Sequence, residues 1–229
     1  MYRESLYKLM CIDIQNLYGA RLTNLWKPQQ NIKPFDRGFA IEKSVAKESL
    51  LFLSMNPSFK KGAWNNGTHS GTNAFYNIPS LNASNTNSFF QAINKFYDEL
   101  GQGSNLIPPL AHHDLLFVRE TSQEKVKELN KNFKSFFDNQ LIISKEIIQA
   151  SEPKIIVVIN AGARKLFEDL FKGSQCSPPF DESLGAYMYI IGDKKTPVLF
   201  SGMLSGQRAL DIGSRESLKW HIRHILRSI

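Results

Sequence analysis

The sequence predicts an α/β fold of three layers, with helices on both faces of a central, mainly parallel sheet of about four strands. Three observations predict it. Leu50 to Leu53 is an apolar run of strand length. Lys154-Ile-Ile-Val-Val-Ile159 is a continuous β-branched run, as a strand covered on both faces reads. Between and around them, apolar side chains recur at three- and four-residue spacing, which marks amphipathic helices laid against a sheet.

Taken in order, residues 2 to 26 read as a helix, with Leu6, Leu9, Met10, Ile14, Leu17, Tyr18, Leu22 and Leu25 on one stripe. Lys27 to Asp36 is a polar, proline-marked connection, and Phe39 to Ser44 is a lead-in strand. The strand from Leu50 must stop at Asn56-Pro57-Ser58, because Pro57 has no N–H to extend a ladder. Residues 58 to 86 are rich in Gly, Asn, Ser and Thr, interleaved with Phe59, Trp64, Phe75 and Tyr76. Aromatics in so long a polar loop suit either a stacking platform for a planar ring or pins to the core. Asn87 to Leu100 is an amphipathic helix closed by Gly101. His112 to Arg119 is a short strand, on which adjacent histidines face opposite ways, so His112 and His113 are read as polar contacts and not as ligands of one metal.

Residues 122 to 150 form one long helix or two in sequence, with Val126, Leu129, Phe133, Phe136, Phe137, Leu141, Ile142 and Ile147 on the buried face. Asn160-Ala-Gly-Ala-Arg164 opens the next helix and matches no phosphate-loop pattern. Tyr187 to Ile191 and Pro197 to Phe200 read as a hairpin whose second strand runs into Ser201-Gly-Met-Leu-Ser-Gly-Gln-Arg208. A final basic helix starts with Ser214 as its N-cap and carries Leu218, Ile222 and Ile225 on its core face.

The chain has 229 residues, 42% hydrophobic and 21% charged, which fits a single globular domain over 1–229. No apolar run approaches the roughly 20 residues of a membrane span. The charged start Met1-Tyr-Arg-Glu-Ser lacks a signal peptide's apolar core, so a cytoplasmic protein is expected. Cys11 and Cys176 lie far apart and form neither metal nor disulfide spacing. The net charge of +7 and pI near 9.3 favour a polyanionic partner, nucleic acid first.

Four pieces stand in a telling order: Ser54-Met-Asn-Pro-Ser58, Asp114-Leu-Leu-Phe-Val-Arg119, the strand and turn from Glu152 to Arg164, and Ser201-Gly-Met-Leu-Ser-Gly206. Together they resemble the uracil-DNA glycosylase superfamily, nearest in motif to its mismatch-specific uracil/thymine branch. The resemblance runs from about Leu50 to the C-terminus and leaves residues 1–30 outside. Three departures stand out: Ser54 replaces the usual Gly, Met203 replaces the His of many members, and Leu204 replaces the motif Pro.

The resemblance implies a metal-free, cofactor-free and monomeric enzyme that acts on DNA and not on membranes, removing uracil or a related base. It makes Asn56 the residue that holds the attacking water and Ser205 its counterpart on the late loop. Met55, Trp64, Phe75 and Asp114 become the base-binding residues. Ser58, Ser201, Met203, Gln207 and Arg208 become the DNA-binding ones, while Arg215, Lys219, Arg223 and Arg227 on the last helix either bind backbone or form a solvated face. Two rivals remain at this stage. One is a catalytically silent nucleic-acid-binding protein on the same scaffold. The other is a small-ligand hydrolase or transferase, set back by the lack of a G-x-S-x-G elbow.

Overall fold

A computed structural model describes residues 10–59, 73–77, 88–102, 107–172, 178–206 and 209–229. In chain order the strands are β1 Cys11–Asp13, β2 Ala40–Glu42, β3 Ser44–Ala46, β4 Leu50–Ser54, β5 Ala74–Tyr76, β6 Leu110–Asp114, β7 Ile155–Ile159, β8 Phe180–Asp181, β9 Ala186–Ile191 and β10 Lys194–Ser201. The helices are α1 Ile14–Trp26, α2 Ser88–Gly101, α3 Gln123–Asn132, α4 Lys134–Ser151, α5 Ala161–Phe171 and α6 Ile212–Ser228.

The central sheet has six strands in the order β6-β4-β7-β10-β9-β8. The first four are parallel, and β9 and β8 extend the sheet antiparallel. The expected count of about four strands thus covers the parallel part alone. Of the two added strands, β9 is the first strand of the expected hairpin, and the two-residue β8 that precedes it has no periodic signal in sequence.

Strand alternation builds two cores. Leu51, Leu53, Ile156 and Val158 point to one face, where Phe136, Phe137, Ile143 and Ile147 of α4 and Phe167 of α5 meet them. Leu50, Phe52, Ile155 and Val157 point to the other, against Ile93, Phe96 and Leu100 of α2 and Leu218, Ile222 and Ile225 of α6. Helices therefore cover both faces, and the central strands need apolar residues at every position. Among the described residues no helix is long and apolar enough to cross a membrane.

Several local expectations shift. Of the helix expected over 2–26, residues 2–9 lie outside the described residues; the described helix starts at Ile14, capped by Asp13 Oδ1 on the Asn16 amide, because Cys11–Asp13 pair with Ser44–Ala46 as a small antiparallel ladder. The 122–150 segment is two helices, broken at Phe133, whose φ of −125° leaves the helical region. The last helix is capped by Asp211 and not by Ser214, since Asp211 Oδ1 accepts the Ser214 amide at 2.9 Å. Ser214 instead donates its hydroxyl to Asp211 Oδ2.

Candidate active site at the carboxyl ends of the parallel strands

From β4 the chain crosses to β6 on one side, and from β7 it crosses to β10 on the other. The exit loops of β4 and β7 therefore diverge, which opens a crevice outside the carboxyl ends of these strands, where open α/β sheets bind ligands. A cavity of about 250 Å³ lies there. All four parallel strands contribute to its wall: Ser54 to Ser58 after β4, Asp114 and Glu120 at and beyond β6, Asn160 after β7, and Met203, Ser205 and Gly206 after β10. Tyr76, Phe89 and Phe90 close one side.

Asn56 is fixed by what surrounds its amide nitrogen. Nδ2 donates to the carbonyl oxygens of Pro57 (3.0 Å), Val118 (3.1 Å) and Glu120 (2.7 Å). Three acceptors around one atom identify it as the nitrogen, so the orientation of the amide is set by chemistry. Oδ1 accepts no hydrogen bond from the described residues, and Asn56 lines the cavity. A rigidly held acceptor at the edge of a cavity has the geometry to orient a water molecule.

A buried polar chain reaches the same cavity through Ser54, Tyr76 and Asp114. Glu42, His112, His113 and Asp114 are all nearly or fully inaccessible. Glu42 Oε1 accepts from His112 Nδ1 (2.6 Å) and from the Tyr76 hydroxyl (2.9 Å), while Oε2 faces His113 Nδ1 (3.2 Å). His112 Nε2 lies 3.0 Å from Ser54 Oγ, which donates to Asp114 Oδ1 in a short hydrogen bond. Since β6 is an edge strand, Glu42 sits beside it and its two oxygens meet histidines that point to opposite faces. The sequence expectation that both histidines serve as polar contacts fits this arrangement.

Burial pushes the Asp114 carboxyl up to about 6, with the nearby Glu42 charge adding to the rise against the lowering pull of His112. Burial works against the charge on Glu42 too, but hydrogen bonds from His112 and His113 outweigh it and hold this carboxyl well below its usual range. Burial also disfavours a charged His112, yet Asp114 and Glu42 together raise its affinity for a proton. The Tyr76 phenol is pushed well above its ordinary value by burial and by the same two carboxylates.

Glu42, His112 and Asp114 each present a ligand atom within 4.8 Å of the others. The trio fits a cation poorly. His112 Nδ1 already sits at hydrogen-bond distance from Glu42, and Nε2 is engaged by Ser54, so both ring nitrogens are spent.

Of the residues singled out from sequence, Met55, Asn56, Ser58, Asp114, Met203 and Ser205 line this one cavity. Phe75 does not. Its ring packs edge-on against Phe39 at 5.3 Å, and β5 presents the neighbouring Tyr76 to the cavity instead, because successive residues of a strand face opposite ways. Ser201 stands at the end of β10, where its carbonyl accepts the Asn160 amide at 3.1 Å, outside the cavity wall. Trp64, Gln207 and Arg208 lie outside the described residues.

The late loop is held from within. Leu204 is buried in the core shared with α2 and α6, which gives the residue in the motif proline's place a packing role. Met203 Sδ receives Asn160 Nδ2 at 3.6 Å.

The last helix departs from both readings of its basic residues. Lys219 is buried and pairs with Glu99 (3.0 Å) and Glu216 (2.5 Å), and Arg215 lies 3.2 Å from Glu99. Arg223 donates to the carbonyls of Leu100 and Glu99. These cations tie α6 to α2, and of the four only Arg227 is exposed.

Sequence reasoning missed Glu42, His112 and Ser54 as site residues, and named Tyr76 only among the loop aromatics that suit a stacking platform or pins to the core. One signal was present: His112-His-Asp114 is an unbroken polar run in a strand neighbouring the apolar β4. Polar groups so placed are buried only if they satisfy one another. No protein-family model and no curated protein matches the chain.

Proposed function

We propose that the protein hydrolyses the N-glycosidic bond of uracil or a related damaged base in DNA, as a uracil-DNA glycosylase-like enzyme. The observation that supports this reading best is Asn56. Its NH₂ is anchored by three carbonyls and its Oδ1 is left for a water in the cavity that Ser205 and Met203 also line. Such hydrolysis proceeds through an oxocarbenium-like sugar and an anionic base. The water oriented by Asn56 forms the new C–O bond at the sugar carbon, while the electron pair of the breaking C–N bond leaves on the base. An amide orients water without being a base, which suffices when the leaving base is stabilised by hydrogen-bond donors. A cavity of this size accommodates a single flipped base. The surplus of positive charge suits a polyanionic substrate.

The test is base release from labelled oligonucleotides carrying uracil opposite guanine or in single strands. Release by the wild type that Asn56→Ala abolishes supports the assignment. A second reading, binding without cutting, draws on Met203, a thioether without an acidic proton in the place where many superfamily members carry His. Salt-sensitive DNA binding with no base release selects it.

A further inference from the structure

We propose that Glu42, His112 and Ser54 form a proton relay that delivers a proton through Asp114 into the cavity, making Asp114 the general acid of the site. The proposal rests on the glycosidic reading for its leaving group, but the relay itself is defined by the free protein's geometry.

Above about pH 6, where Asp114 is ionised, donor and acceptor roles along the chain follow by elimination. Ser54 gives its hydroxyl hydrogen to Asp114 Oδ1, so Ser54 Oγ is an acceptor toward His112 Nε2, 3.0 Å away. Nε2 must then carry a hydrogen. Nδ1, 2.6 Å from Glu42 Oε1, carries one as well, because an ionised carboxylate only accepts. Glu42 is kept ionised by three donors, His112, His113 and Tyr76. His112 therefore rests as an imidazolium between two acidic side chains. Its titratable neighbours are Glu42 on β2, Tyr76 on β5, and His113 and Asp114 on its own strand. The rings of Phe89 and Phe90 approach it edge-on at 5.3 and 5.4 Å and complete its enclosure. The raised proton affinity of His112 accords with this state, and that of Asp114 suits a carboxylate that takes up a proton from Ser54 during delivery.

Delivery then balances. The Nε2 proton of His112 passes to Ser54 Oγ as the Ser54 hydroxyl proton passes to Asp114. Asp114 gives its proton to the departing base, which holds the electron pair of the broken C–N bond. The water that attacks the sugar releases its surplus proton to solvent, and His112, now neutral, takes up another. Ser54 and His112 are positioning residues in this scheme, and Asp114 alone touches the substrate. The serine at a position where the resemblance leads one to expect glycine thereby acquires a role, since glycine has no hydroxyl to link His112 to Asp114.

The experiment has two arms on the full chain. Nitrogen-15 NMR of the imidazole rings at pH 7 should show His112 protonated on both nitrogens in the wild type and on one in Glu42→Gln. A singly protonated His112 in the wild type overturns the relay, whatever the protein's activity. The kinetic arm compares Ser54→Ala with the wild type in base release. Loss of kcat of about 100-fold with KM unchanged is expected, together with an altered descending limb of the pH profile, because in the wild type that limb follows loss of the proton held by His112. An unaltered profile in a folded Ser54→Ala overturns the proposal. Absence of base release in the wild type itself defeats the glycosidic reading, and leaves the NMR arm to decide the relay.

Discussion

Replacing Asp114 by Asn removes a buried charge while retaining a carbonyl oxygen to accept the Ser54 hydroxyl. The magnitude follows from the carboxyl being lifted from its ordinary 3.8 to about 6. At about 1.4 kcal/mol per tenfold change in proton affinity, the ionised carboxylate costs the fold about 3 kcal/mol at pH 8. The sign is that of a raised acid. The folded state binds the proton more tightly than the unfolded chain, so Asp114 favours folding most below its unfolded value, and this advantage is lost as pH rises through about 6. Asp114→Asn should therefore stabilise the protein at pH 8 and change it by less than about 1 kcal/mol at pH 4. For a domain of this size the gain at pH 8 corresponds to about 6–12 °C in Tm, measured by calorimetry or by circular dichroism at both pH values. An equal shift at pH 4 and pH 8, or destabilisation at pH 8, would refute the reasoning. A variant that gains stability while losing proton delivery is the trade expected of a strained functional group.

Asn56→Asp places a carboxylate oxygen against the carbonyls of Pro57, Val118 and Glu120, which now lack their common donor; a loss of about 2–3 kcal/mol is expected from urea midpoints, and an unchanged midpoint would remove the three-carbonyl anchor from the argument. Glu99→Gln weakens the tie from α2 to Lys219 and Arg215, and because Glu99 is partly exposed the expected cost is about 1 kcal/mol at neutral pH. Its carboxyl is held below the usual range chiefly by the Lys219 hydrogen bond, so the contribution is present above the unfolded value and disappears as pH falls through the folded one. Wild type and variant should then converge in acid, and a gap that persists there would show that the charge is not the cause.

The sequence by itself determined the elements whose burial is total or strictly one-sided. Leu50–Ser54 and Ile155–Ile159 carry apolar residues at nearly every position because both faces of those strands are covered, and α2 shows its stripe because one face meets the sheet. The stop at Pro57 and the small turn after β7 followed from local covalent geometry, and they placed Asn56 and Asn160 at strand ends. The tertiary structure alone decided what those ends meet. The relay joins residues 70 apart (Glu42 and His112) and 58 apart (Ser54 and His112), and no periodicity links positions on separate strands. Phe75 and Tyr76 read alike as aromatics until pairing with β2 fixed which of them turns to the cavity. The cations of α6 look in sequence like a solvated or phosphate-binding face, yet Glu99 on a helix more than a hundred residues earlier claims two of them. Local pattern records whether a side chain is covered; only the packed chain specifies by what, because hydrogen bonds and ion pairs depend on atoms brought within about 3 Å.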